Sequence, residues 1–481
     1  MYKKIEFYNI IKKTLFLLGI LVTTIITSCN KCDCNDLSDC DEYLARGKDG
    51  NITWKLSCEG VLTISGKGNM PDYDVNQHGN STAPWFFYRN TFTALVIEKG
   101  ITSIGKIAFE NCRGFAGSLT LPEGITSIGL YAFSGCIGFT GSLTLPEGLT
   151  SIGDGAFRDC IGFNGNLALP EELTSIGSVA FGGCSGFTGN LALPEGLTSI
   201  GDGAFRDCRG FNGSLTLPEG IKKIGRFMFS GCNGFNGSLT LPEGLTNIGV
   251  HAFSGCNGFT GSLTLPKGIT SIDEGAFYGC SSFNGSLTLP EGLTSIGVSA
   301  FEYCSGFIGD LIFPEGLERI GNFVFSRCYG FNGSLILPKK LKSLGQETFA
   351  NCYGFTGSLI LPEGLESIGI STFANCYGFT GSLILPKGLE RIDGGAFSGC
   401  SGFTDLIFPE GLIRIEPNSF RDCLGFIDVI NYSIEPQWIG GAFNNVPIES
   451  ITLHVPSISL ERYRAAEFWK DFGNIIAIEN Y

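Results

Sequence analysis

Cysteine is the residue whose placement first raises a chemical question. Thiols stand at Cys112, Cys136, Cys160, Cys184, Cys208, Cys232, Cys256, Cys280, Cys304, Cys328, Cys352, Cys376 and Cys400, one every 24 residues, and Cys423 follows one residue early. Such a thiol can be a nucleophile, a disulfide partner, a metal ligand or a packed apolar group, and its surroundings decide. Between Cys136 and Cys160 the chain reads CIGFTGSLTLPEGLTSIGDGAFRDC, and close copies of that text surround each member of the file. A fixed period between about 20 and 50 residues marks a solenoid or a related array. Equivalent side chains of stacked turns sit about 4.8 Å apart and point the same way. A disulfide needs vectors turned toward each other, and zinc needs ligands converging as a tetrahedron. An apolar interior disfavours the thiolate that catalysis requires, and His78, His251 and His454, the three histidines, do not follow the repeat. The file reads as buried packing thiols without bonds.

Five cysteines lie outside it: Cys29, Cys32, Cys34, Cys40 and Cys58. The C-x-C of Cys32 and Cys34 lacks a second pair or a nearby histidine to complete a metal site. Spare thiols on a tether, or a disulfide such as Cys40 to Cys58, suit an extracytoplasmic setting, and spacing leaves the pairing open.

The elements that position the file can be read from one turn. Phe139, Leu143, Leu145, Leu149, Ile152, Ala156, Phe157 and Cys160 recur as the apolar set. L-x-L has period two, a short strand with both leucines inward and Thr144 outward, and Pro146, lacking an N–H, ends it. Gly153 and its equivalents, which include Asp273 and Asp393, are expected to turn the chain through positive φ. G-x-x-A-F-x-x-C spaces Ala156 and Cys160 as one helical turn would.

The pattern L-x-L-P-x-x-L-x-x-I-G-x-x-A-F-x-x-C resembles the BspA-like class of leucine-rich repeat, over about Leu95 to Val446. The flanks ITWKLSCEGVLTISGKGNMPDYD and ITLHVPSISLERYRAAEFWKDFGNI resemble that class's N-terminal β unit and closing segment. Turns here mostly have 24 residues against about 23 in the class, the extra one lying in F-T-G-S-L, where glycine suggests a bulge; FTDL at Phe403–Leu406 restores the shorter form. The resemblance implies a repeat solenoid: a right-handed leucine-rich-repeat superhelix of short β-strands and short helical turns, capped at both ends. The expected organisation is a signal peptide over 1–28, a tether over 29–48, an N-terminal β cap over 49–94, about 14–15 turns over 95–447 and a C-terminal cap over 448–481.

Lys3, Lys4, Lys12 and Lys13, the apolar run Leu15–Ile26 and the small residues before Cys29 have the shape of a signal peptide. They resemble a bacterial lipoprotein signal, with cleavage before Cys29 and lipid on its thiol; a soluble secreted protein is the alternative. The implied location is the outer membrane, lipid-anchored and facing the cell surface.

A solenoid shares its core, so partners are chosen at exposed positions. The outward residue of L-x-L is Thr120, Thr144, Ala168, Ala192, Thr216, Thr240, Thr264 and Thr288, then Ile312, Ile336, Ile360, Ile384 and Ile407. In the same region the residue after the cysteine becomes Tyr329, Tyr353 and Tyr377. Contiguous exposed apolar area marks an interaction surface, against the plainer reading that isoleucine favours strands and duplicated repeats copy one another. After the prolines runs a second file: Glu123, Glu147, Glu171, Glu195, Glu219, Glu243, Lys267, Glu291, Glu315, Lys339, Glu363, Lys387 and Glu410. It reads first as a solvated edge, and second as a ridge steering basic partners or collecting calcium.

A net charge of −14 opposes nucleic acid, whose binding needs clustered cations. Paired catalytic carboxylates and a phosphate-cradling loop are missing from the sequence, so no enzyme, cofactor or metal is expected. The resemblance implies adhesion by a monomer to host matrix proteins or other cells. A glycan-binding or uptake-associated lipoprotein is the alternative, with the tyrosines as its platform; a spacer would leave the switch to isoleucine without meaning.

Overall fold

The computed structural model describes residues 43–478. Turns of the solenoid are built from two ladders and a wall, although no strand forms at Leu167–Leu169 or Leu191–Leu193. The expected L-x-L ladder is present, as in the parallel register Leu215↔Leu239 and Thr216↔Thr240. A second ladder, not anticipated from the sequence, runs through the x-S-I segment: Ser103, Ser127, Ser151, Ser175 and Ser199 pair in register with their isoleucines inward. It resumes at Lys223–Ile224 and again at Ser343–Leu344. Threonines before this ladder reinforce the stacking, as where the Thr150 hydroxyl donates to the Thr126 carbonyl at 3.0 Å.

The wall differs from expectation. G-x-x-A-F-x-x-C forms hydrogen-bonded turns rather than a turn of helix. Its N–H groups alternate in direction. Ala132 and Cys136 donate within their own turn, to Gly129 and Phe133, whereas Tyr131, Phe133 and Gly135 donate to Asp154, Ala156 and Arg158 of the next. A helix would consume all those donors locally; here half of them bind neighbouring turns together. The alternation requires positive φ two residues beyond Gly153, at Gly155 (59°) and, in neighbouring turns, Tyr131 (50°) and Val179 (48°). The expected positive φ at Gly153, Asp273 and Asp393 is therefore displaced: none of these adopts it. Gly153 answers a close approach instead, since a Cβ there would lie 2.9 Å from the Gly129 carbonyl carbon.

Inside, two phenylalanine files stack along the solenoid. Phe133, Phe157 and Phe181 follow one another at 5.3 and 5.4 Å, and Phe139 and Phe163 at 5.3 Å. The files meet edge to face, as between Phe157 and Phe163. Both caps extend this core with larger rings. Trp85 stacks on Phe109 and its indole N–H donates to the Ala108 carbonyl at 2.8 Å; at the other end Phe443 stacks on Phe420 and meets Phe472, which stacks on Trp469.

The N-terminal cap starts earlier than expected. Its first strand, β1, is Tyr43–Asp49, antiparallel to β2 (Ile52–Ser57), which is antiparallel to β3 (Val61–Gly66). Residues 43–48, expected in the tether, are held by this pairing because Trp54 and Leu56 of β2 and Ala45 of β1 are buried. Strand β3 then pairs parallel with Ala94–Ile97, converting an antiparallel sheet into the parallel stack. At the other end, Thr452–Val455 and Asn474–Ala477 add two parallel strands beside a short helix, Leu460–Ala465. Where FTDL shortens a turn, the register shifts between Gly381 and Ser382, and a similar shift accompanies Gly117, whose φ is 72°.

Candidate partner-binding face

The thiol file is placed as expected: Cys112 through Cys423 are all buried. Each from Cys136 onward also donates to a backbone carbonyl of the preceding turn, which the sequence reading missed. Cys136 Sγ lies 3.0 Å from the Phe109 oxygen and Cys256 Sγ 3.0 Å from that of Phe229. The same oxygens accept a backbone N–H from their own turn, Cys112 to Phe109 and Cys232 to Phe229. Burial pushes these thiols up, to about 12 at Cys160, Cys352 and Cys423 and well above the ordinary value at Cys256. They are packing groups with a hydrogen bond, and the chemistry lies elsewhere.

The outward file turns from small to aliphatic where the sequence placed the change. Ile312, Ile336, Ile360 and Ile384 are 53%, 48%, 73% and 57% exposed, because their flanking leucines carry the burial, as in Leu335 and Leu337. Ile407 differs: it is half-covered, within the five-stranded sheet that closes the C-terminal end. That sheet also extends the file. In register with Ile384 and Ile407 stand Ile430, His454 and Ile476. The sequence hid them because DVIN and NIIA lack the repeat's proline, and TLHV, although Pro456 follows it, carries valine where the repeat has its second inward leucine. Beside this extension, His454 Nε2 lies 2.7 Å from Asp428 Oδ1, and Asp405 accepts the hydroxyls of Ser382 and Thr404 at 2.8 and 2.9 Å.

Tyr329, Tyr353 and Tyr377 are exposed and stack face to face, with centroids 5.3 Å apart and planes within 2°. Such stacking covers both faces of Tyr353 and the inner faces of its neighbours. A sugar ring packs on an aromatic face, so this column offers edges and hydroxyls rather than a platform. One turn earlier, Arg327 lies over the Tyr303 ring at 5.0 Å and Tyr278 meets Tyr303 edge to face.

The residues of the acidic ridge are exposed, and among the described residues no group of three or more His, Cys, Asp or Glu side chains is placed to hold a metal ion. Two concavities among the described residues are open grooves. One is lined by Ile370, Arg391, Asp393, Arg414, Glu416 and Pro417, with Arg391 and Arg414 already bonded to Asp393 and Glu416. Cys29, Cys32, Cys34 and Cys40 lie outside the described residues; Cys58 is exposed.

Two ladders around a leucine and phenylalanine core define a leucine-rich-repeat solenoid. The chain belongs to the BspA type leucine rich repeat family, whose six-copy profile matches overlapping segments from 82–212 to 331–445. A leucine-rich repeat protein of Bacteroides ovatus shares the fold at 22% identity and a TM-score of 0.55, covering 90% of this chain and 99% of its own. A leucine rich cell surface protein of Faecalibacterium prausnitzii aligns at 20% identity and a TM-score of 0.41, over 80% of this chain and 94% of its own. The pneumococcal vaccine antigen PcpA aligns at 17% identity and a TM-score of 0.36, over 91% and 99%. No curated protein matches the sequence.

Proposed function

We propose that this protein is a lipid-anchored adhesin on the bacterial surface, which binds a macromolecular partner without transforming it. The observation that carries the reading is the exposed strip Ile312, Ile336, Ile360 and Ile384 on a face where earlier turns present threonine or alanine. Turns about 4.8 Å apart make the strip to Ile407 roughly 20 Å long, flat and unenclosed, which suits a protein surface better than a small molecule. The tyrosine column supports the same reading through its hydroxyl edges, while its covered faces weaken the glycan alternative.

The test is binding of chain starting after Cys40 to host matrix proteins and to cells. Ile336→Thr with Ile360→Thr is expected to weaken binding about tenfold, the scale of a small hot region, with an unchanged melt, since threonine already occupies the position in other turns. Thr216→Ser with Thr240→Ser is the matched control, and equal binding by the two double variants removes this face from the reading. Anchoring is tested separately: Cys29→Ala is expected to lose palmitate labelling and leave the membrane fraction.

A further inference from the structure

We infer that the macromolecule recognised by the isoleucine strip is a second copy of this chain, lying antiparallel on an apposed surface. The inference rests on the adhesin reading and names its partner.

Three patterns coincide in the same turns. The strip itself, extended by the register to Ile430, comprises Ile312, Ile336 and Ile360, then Ile384, Ile407 and Ile430. It is symmetric about the midpoint between Ile360 and Ile384. The ridge, which carries glutamate without interruption from Glu123 to Glu243, alternates strictly beside the strip: Glu315, Lys339, Glu363, Lys387, Glu410. Each ridge residue follows its strip residue by three positions, so the two files run side by side within about 10 Å of chain. Lys339 Nζ, 3.5 Å from Glu315 Oε1, shows that charges one turn apart are within reach.

A two-fold axis in the plane of the face, perpendicular to the solenoid and passing between Ile360 and Ile384, brings ridge against ridge. Ile360 then meets Ile384 of the second copy, Ile336 meets Ile407, and Ile312 meets Ile430. Glu363 meets Lys387 and Lys339 meets Glu410, each twice by symmetry. Glu315 falls at the level of the uncharged Ser433. The uninterrupted glutamates from Glu123 to Glu243 would repel one another in any such pairing; outside the strip one lysine, Lys267, breaks the acidic run, and repeated alternation is found beside the strip. Asp310 meets Asp428 at the two ends, where Asp428 is already bonded to His454.

Placement agrees. Eight turns, from Thr120 to Thr288, separate the strip from the N-terminal cap, about 38 Å of solenoid. Antiparallel pairing sends the two N-termini in opposite directions, which is the geometry of chains rooted in two surfaces. The strip is narrow, below the roughly 1,200 Å² of total area expected of a stable interface, so one contact is weak and many copies act together.

The experiment displays the full chain by its N-terminus on beads of two colours at physiological salt. Wild-type beads are expected to clump. Lys387→Glu is expected to reduce clumping at least tenfold, and Glu363→Lys combined with Lys387→Glu to restore it. Beads carrying that swapped pair should clump among themselves yet sort away from wild type, because like charges then face each other in mixed contacts. Wild-type beads that stay dispersed, or swapped beads that mix freely with wild type, overturn self-recognition. Dispersed wild-type beads that still capture a matrix protein through Ile336 and Ile360 would leave the adhesin reading standing.

Discussion

Each buried thiol occupies a space bounded by a carbonyl that already has one donor. Cys256 Sγ donates to Phe229 across turns, and the Cys232 N–H holds the same oxygen, so removing the thiol leaves that carbonyl partnered. Cys256→Ala should cost about 1–2 kcal/mol, a small cavity plus one weak hydrogen bond. Cys256→Asp should cost far more, because a buried carboxylate there has no counter-charge. Chemical denaturation of the variants measures both, and rapid labelling of native wild-type thiols would contradict the packing role. Burial of the file was legible because the cysteines keep step with leucine and phenylalanine. Their acceptors were not, since a partner 27 residues back depends on how adjacent turns lie over each other.

At the scale of the element, the glycine two places after the cysteine, present in all turns of the file but one, sets how closely the wall stacks. A Cβ at Gly162 would stand 2.4 Å from the Phe139 oxygen and 2.5 Å from that of Ile137. Gly162→Ala should therefore push two turns apart and cost about 1–3 kcal/mol, as overpacking does. Ser282 holds the equivalent place in its own turn, so the wall can admit a Cβ with local adjustment, and Ser282→Gly should cost nothing. Melts of the two variants decide: an unchanged Gly162→Ala would mean that the wall is slack throughout. The L-x-L strand was readable from its period and its proline. The x-S-I ladder was not, because one inward isoleucine per turn is too short a pattern to distinguish a strand from a loop. The wall was misread as helical because Ala156 and Cys160 are four apart, a spacing that alternate hydrogen bonding to the next turn also produces. Among the strip residues, Ile312 to Ile384 were legible as exposed, whereas the covering of Ile407 and the continuation through Ile430 follow from the closing sheet, whose strands have left the repeat's text.

Across the whole molecule the fourteen buried thiols act together on stability. Each is neutral in the folded state, where burial raises its pKa, to about 12 at Cys160, Cys352 and Cys423 and well above the ordinary value at others such as Cys256. In the unfolded chain a thiol ionises near pH 8.5. Above that pH the native state holds more protons than the unfolded state, so stability falls as pH rises, by about 1.4 kcal/mol per pH unit for each thiol in the cooperative unit. Below it the thiols are neutral in both states and contribute no pH dependence. Neighbouring turns of a solenoid unfold in groups, and three turns melting together would lose roughly 4 kcal/mol per pH unit from this source. The thiol contribution to thermal melts under reducing conditions should thus be flat to about pH 8 and steep from about pH 8.5 to 10, before lysine deprotonation begins. Replacing Cys232, Cys256 and Cys280 together by alanine should lower the melt at neutral pH yet flatten its alkaline slope, because three of the titrating groups are gone. An alkaline slope indifferent to the number of thiols would show that the file is not what couples this stack to pH.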